Sequence, residues 1–284
     1  MSDSAKYKQV IEANIALHSR AAADYSTCEP HFRPENVAKV DAILARIFEE
    51  TGAKRMLDLG CGTGFMIGIG KKYAKEIHGV DVTQAMLDEV DLSGDASITL
   101  HNHDAGTYPV EPGSFDVVTT YSFLHHLYDV QPTFETAYNA LRPGGKYYAD
   151  LDPNYYFWEA IDGLDRDGPY DPIIKREIEA VSHKDEDIQE TLGVDKDTFD
   201  QAEYGKNVLG GFKEEELREK LRKAGFSSVD IFYYWYIGQG ALINDESRDA
   251  GDRVRHAEVM ETVLQQVQPL SRVLYKYIGF VATR

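Results

Sequence analysis

Leu57-Asp58-Leu59-Gly60-Cys61-Gly62-Thr63-Gly64 closes a short apolar run that begins at Arg55, and its reading decides the fold. In a doubly wound sheet, ligands sit beyond the carboxyl ends of the strands. A glycine-rich turn there lets the backbone approach a ligand with no Cβ in the way. A dinucleotide fingerprint wants a third glycine three residues after the second. This chain has Phe65 at that position, and its glycines alternate instead as Gly60, Gly62 and Gly64. The acid before the turn, Asp58, is unwelcome beside a pyrophosphate and welcome beside an amino group. The spacing therefore disfavours a nicotinamide dinucleotide and a dehydrogenase.

Outward from this turn the pattern alternates. A helix is expected from Gly64 to Tyr73, where Gly68 and Gly70 each cost about 1 kcal/mol relative to Ala and suggest close packing on a sheet. Strands follow at Glu76 to Val82, Ile98 to His103, Phe115 to Thr120 and Lys146 to Leu151. Helices lie between them over Ala85 to Val90, behind Thr83, and over 131–141, closed by Pro143-Gly144-Gly145. Such alternation predicts an α/β fold with a parallel, doubly wound sheet. We divide the chain into N-terminal helices forming a partial lid (1–52), the first part of the core (53–152), an inserted helical cap (153–210) and the rest of the core (211–284). The last part holds a helix at 213–224, a sixth strand at Ser228 to Ile237, a helical insertion at 238–276 and a seventh strand at Tyr277 to Thr283.

The chain has 284 residues, 43% of them hydrophobic, and a net charge of -18. Residues 153–210 alone carry 15 Asp/Glu against 6 Lys/Arg, which is half the imbalance. Nucleic-acid binding draws on a basic face, and this chain offers no such run. No secretory leader and no apolar stretch of membrane-spanning length is read, and two cysteines, Cys28 and Cys61, give no disulfide framework. The expectation is a cytoplasmic protein acting on a small molecule, without nucleic acid or a membrane span, and with a homodimer left open.

Two further acids end strands on the same side. Asp81, 21 residues after Gly60, is placed to accept ribose hydroxyls, and Asp104 to accept from an adenine amino group. The set Asp58–Gly64, Asp81, Asp104, Phe115-Asp116-Val117-Val118, Leu124-His125-His126-Leu127 and Leu141-Arg142-Pro143-Gly144-Gly145 resembles the class I S-adenosylmethionine-dependent methyltransferases. It is nearest to the small-molecule type of ubiquinone and menaquinone biosynthesis. The resemblance implies a Rossmann-like seven-stranded sheet whose last strand is antiparallel, and S-adenosyl-L-methionine as cofactor. It implies cofactor contacts at Asp58, Gly60, Cys61, Gly62, Gly64, Asp81, Val82, Met86, Asp104, Ala105, Tyr121 and Tyr25.

The expected activity is O- or C-methylation, with N- or S-methylation or a non-catalytic cofactor-binding regulator as alternatives. His126, His125 and Tyr121 are the candidate catalytic residues, because the fourth strand ends where the transferring methyl is expected. Adjacent histidines at a helix start point about 100° apart, so both serving one centre is not expected. No metal site is expected either, since no carboxylate or histidine stands at ligand spacing from the pair. Tyr155, Tyr156 and Trp158, read as a loop beyond the fifth strand, are the candidate substrate wall, and the aromatics at 233–236 are read as core and edge packing.

Overall fold

Seven apolar runs separated by helices assemble into one mixed sheet. The computed structural model describes residues 3–181 and 185–284; residues 1–2 and residues 182–184 of the expected cap lie outside the described residues, as do the side chains of Cys28, Pro30, Val181, Asp185, Glu186, Asp187 and Ala250. The strands are β1 (Arg55–Leu59), β2 (Glu76–Asp81), β3 (Ser97–Asn102), β4 (Phe115–Tyr121), β5 (Leu141–Pro153), β6 (Ser228–Tyr236) and β7 (Tyr275–Thr283), in the spatial order β3-β2-β1-β4-β5-β7-β6. β1 to β5 pair in parallel, and β7 runs antiparallel between β5 and β6. This is the Rossmann-like sheet with a reversed last strand. The order reverses between β1 and β4, which places the glycine turn at the switch point.

Both faces are covered. α1 (Asp3–Cys28) precedes α2 (Pro34–Thr51), whose Val40, Leu44 and Ile47 bury against one face together with Phe65, Met66 and Ile69 of α3 (Phe65–Gly70). α4 (Gln84–Asp88) lies on the same side through Leu87, while α5 (Gln131–Ala140) covers the other face with Phe134 and Ala137. α3 ends earlier than its sequence suggests. A Cβ on Gly70 would stand 2.7 Å from Met56 Sδ, so this glycine does allow helix and sheet to meet, whereas one on Gly68 would meet nothing within 4 Å. At the far end of the sheet, Asp116 accepts from the backbone N–H groups of Lys54 and Arg55 and from Arg142 Nε. These two motif residues therefore pin the sheet and stand apart from the switch point.

The cap is built of α6 (Tyr155–Asp162), α7 (Pro172–Val181), α8 (Asp185–Leu192), α9 (Lys196–Ala202) and a π-helical turn, Tyr204–Val208. Ala13 and Leu17 of α1 pack on Ile188, Phe199 and Ala202, so the N-terminal helix and the cap share one small core. α10 (Glu214–Ala224) returns to the sheet through Leu217 and Leu221. α11 (Gln239–Ile243) and α12 (Ala250–Gln266) fill the second insertion. Among the described residues, no helix is long and apolar enough to cross a membrane.

Candidate functional site

The ends of β1, β2 and β4 border a cleft. Gly60, Gly62 and Gly64 hold φ of +72°, +51° and +89°, in the left-handed region that costs other residues energy. A Cβ on Gly60 would lie 2.0 Å from the Phe123 ring, so the turn fits only as glycine there. The cleft is lined by every residue expected to contact a cofactor except Gly64, which faces Val90 instead.

The acids give the cleft its chemistry. Asp58 is 1% exposed, and its Oδ1 accepts from Thr119 Oγ1 at 2.7 Å. Its Oδ2 is buried with no partner among the described residues, an arrangement that costs free energy until a donor arrives. Burial pushes the Asp58 carboxyl up to about 7, with a smaller push from Asp81. A ligand ammonium would both satisfy Oδ2 and restore the charge. Asp81 accepts from Gly62 N at 2.9 Å and Thr83 N at 2.8 Å, which ties the glycine turn to β2 and leaves lone pairs for a vicinal diol. Burial raises the Asp81 carboxyl as well. Asp104 accepts from Gly106 N at 2.9 Å and from the hydroxyl of Tyr7, on α1. Cys61 is buried and its thiol is pushed up by burial, which fits a small loop residue and no nucleophile.

Sequence reasoning missed the lid's share of the site. Ile11, Asn14 and His18 of α1, with His31 and Phe32 beyond it, line the cleft beside Tyr25. His31 is buried, held down to about 4 by burial, and its ring lies 5.6 Å from that of Tyr121, which in turn lies 4.6 Å from Phe65. Burial raises the Tyr121 phenol far above its ordinary range, so it stays neutral and serves as a wall of the cleft. The helical period of α1 carries a face but no pointer to what that face covers.

A second chamber, of about 550 Å³, meets the cleft at His18, Tyr25, His31, Ser122 and His126, which line both. Beyond Tyr25, its aromatic lining is Phe199, Trp235, Tyr236 and Tyr277. This differs from the expected wall: Tyr155, Tyr156 and Trp158 line neither cavity. Asn154 caps them into α6, where Tyr155 donates to Glu159, Tyr156 donates to Glu215 under Arg272, and the Trp158 ring lies 5.0 Å from that of Phe157. The strand ends bordering this chamber carry a further signature. Ser122, Leu151 and Trp235 hold φ of +49°, +64° and +58°, and all three line it. Non-glycine residues in this region store strain that the surrounding sheet must impose.

The histidine pair sits where the two cavities join, on the 3-10 turn Leu124–His126. Two expectations are corrected here. The ring centroids are only 4.1 Å apart, although a 3-10 turn sets adjacent residues about 120° apart; the side-chain torsions, not the turn, bring the two rings together. A carboxylate also stands beside them, brought by the cap. Glu203 Oε2 lies 3.8 Å from His125 Nε2, and Oε1 lies 3.5 Å from His126 Nδ1. Ligand spacing along the chain could not show this, since Glu203 arrives from the end of α9. Gly205 makes the approach possible: a Cβ there would stand 2.8 Å from His125 Cα. His125 Nδ1 faces Asp152 Oδ1 at 2.9 Å, and Asp152 also accepts the His125 backbone N–H. His126 Nδ1 faces the Ala202 carbonyl at 2.8 Å, so it carries the proton and Nε2 keeps a lone pair. Burial lowers His125 to about 4 and lowers His126 as well, so both are neutral near pH 7. Burial alone would raise Glu203, but the positive charge that His126 and His125 take up in acid, together with Lys206, outweighs it and holds the carboxyl down at about 2.

Residues 57–149 match the family model of a methyltransferase domain. The chain is 31% identical over 112 residues to phosphoethanolamine N-methyltransferase 2 of Caenorhabditis elegans, a match covering 37% of this chain and 25% of that one. It is 29% identical over 195 residues to a demethylmenaquinone methyltransferase of Lactobacillus johnsonii, covering 66% and 72%. It spans 25% to 65% of the length of the first curated relatives it matches. The S-adenosylmethionine-dependent methyltransferase of Mesorhizobium loti shares the fold, with a TM-score of 0.53 at 20% identity over 87% of this chain and 98% of that one.

Proposed function

For a chain whose residues 57–149 match a methyltransferase domain, we propose an S-adenosylmethionine-dependent methyltransferase of small molecules, acting on an oxygen or an acidic carbon. The observation that carries the proposal is the unpartnered Oδ2 of Asp58, buried at the carboxyl end of β1 in a cleft of matching lining. An amino-acid ammonium is the group that completes it. The methionine moiety of the cofactor would lie over the glycine turn, its ribose at Asp81, and its adenine near Asp104, Ala105 and Val82.

The acceptor would enter the second chamber and present its nucleophile where the cavities join. Methyl transfer from a sulfonium is an in-line displacement: the acceptor forms its bond to the methyl carbon as the S–CH3 bond breaks, and the sulfur leaves neutral. Alignment and exclusion of water can supply roughly 7–11 kcal/mol of such a barrier. An acceptor hydroxyl or carbon acid must also lose a proton. The convergence of His125, His126 and Glu203 at this junction supports an acceptor of that kind over one needing alignment alone. The acidic cap, with 15 acids to 6 bases, supports a small acceptor over a nucleic acid.

The test is direct. The purified chain is titrated calorimetrically with S-adenosylmethionine, with its demethylated product and with NAD, then incubated with methyl-labelled cofactor and fractionated metabolites. Binding of the first two and transfer of label to a small molecule are expected. Tight NAD binding with no response to the sulfonium cofactor would refute the proposal.

A further inference from the structure

The convergence of His125, His126 and Glu203 has a composition that proton transfer alone does not require. One nitrogen from each ring and one Glu203 oxygen all lie within 4.8 Å of one another. Two imidazoles and a carboxylate are the donor set of mononuclear zinc and iron(II) centres that keep open positions. Reaching bonds of about 2.0–2.2 Å asks each donor atom to move by less than about 1 Å.

A second observation is independent of that triangle. A metal-bound imidazole almost always hands its other N–H to a carboxylate or carbonyl, which fixes the ring. His125 does so before any ion is present, with Nδ1 on Asp152 Oδ1 at 2.9 Å and Nε2 turned towards Glu203. The placing of Glu203 is also specific. It immediately precedes the π-helical turn Tyr204–Val208, a rare element frequent at functional sites, and Gly205 seats that turn against the His125 backbone.

We propose that His125, His126 and Glu203 bind a divalent transition-metal ion of the zinc class, whose open positions face the second chamber and take an ionisable oxygen of the acceptor. The proposal rests on the reading of that chamber as the acceptor site. The ion would be the group that acidifies the acceptor: the oxygen coordinates, its proton passes to water, and the resulting oxyanion attacks the methyl carbon. The residue that competes for the site is Lys206, whose Nζ lies 3.8 Å from Glu203 Oε2.

The full chain, freed of any affinity tag and stripped with a chelator, is given Zn²⁺ or Co²⁺ and desalted. One Zn²⁺ per chain should be retained, and Co²⁺ should show the intense visible bands of a low-coordinate site. Glu203→Gln and His125→Gln should weaken Zn²⁺ binding at least 10-fold, Asp152→Asn by about 10–100-fold, and Lys206→Met should strengthen it. Melting curves on each variant confirm folding, and Glu203→Gln, being isosteric, serves if His125→Gln does not fold. S-adenosylmethionine binding is measured on the same samples. Retention of substoichiometric Zn²⁺, or equal affinity in folded Glu203→Gln, overturns the ion site. An ion bound by a chain that ignores S-adenosylmethionine overturns the proposed function and leaves the ion site standing.

Discussion

Replacing Asp58 by Asn separates two effects that usually move together. In the folded chain the carboxyl has a pKa of about 7, against about 3.9 unfolded, with burial as the main cause. The folded state thus binds a proton more readily than the unfolded state. Stability from this group is fully present at low pH and is lost as pH rises from about 4 to about 7. The shift of about 3 pH units puts that loss on the order of a few kcal/mol. Asparagine keeps the acceptor for Thr119 Oγ1 and carries no charge, so Asp58→Asn should raise the melting temperature at pH 8 and change it little at pH 4. Cofactor affinity should move the other way. Losing a hydrogen bond between charged groups costs about 1.5–3 kcal/mol, or about 10–150-fold in Kd. Wild-type binding below pH 7 should also release a proton, read as a dependence of calorimetric enthalpy on the buffer's ionisation heat. A variant that loses stability at pH 8, or that binds S-adenosylmethionine as tightly as wild type, would refute the reasoning.

Asp81→Ala should weaken cofactor binding by about 1.5–3 kcal/mol and, unlike Asp58→Asn, lower the melting temperature, because Asp81 also holds the N–H groups of Gly62 and Thr83. Tyr7→Phe removes the donor that α1 gives to Asp104, and stopped-flow measurement should show faster cofactor dissociation with a nearly unchanged melting temperature. Gly205→Ala drives a Cβ into the His125 backbone, and overpacking of this kind costs about 1–3 kcal/mol. Turnover should fall with it, while calorimetry finds cofactor affinity within about two-fold of wild type.

What the sequence made legible was local. The glycine turn and the acids at strand ends are set by a handful of adjacent residues and by the rule that open sheets bind ligands at their carboxyl edge. Asp58, Asp81, Val82, Met86, Asp104 and Ala105 line one cleft. The rest depends on contacts between distant segments. Glu203 meets His125 across 77 intervening residues only because α9 and its π turn dock on the 3-10 turn. Nothing in the helical period of an acidic cap announces that docking. The aromatic wall was misplaced for a related reason. Tyr155 to Trp158 looked like a loop, but Asn154 caps them into a helix that turns away. Trp235, whose run reads as packing, lines the chamber from a left-handed backbone conformation within β6.

The left-handed conformations of Ser122, Leu151 and Trp235 bear on any attempt to harden this protein. Each conflicts with its own side chain by roughly 1–3 kcal/mol, so asparagine or glycine at 122, where the side chain lost is small, is a ready gain in heat resistance, whereas at 151 and 235 part of that gain is offset by lost packing. Selection for thermal survival alone would find these positions early. It would also slacken the rim of the chamber at the points where three strands are bent to shape it, trading catalytic fitness for durability. An engineer should hold these three fixed and look for stability on the far edge of the sheet.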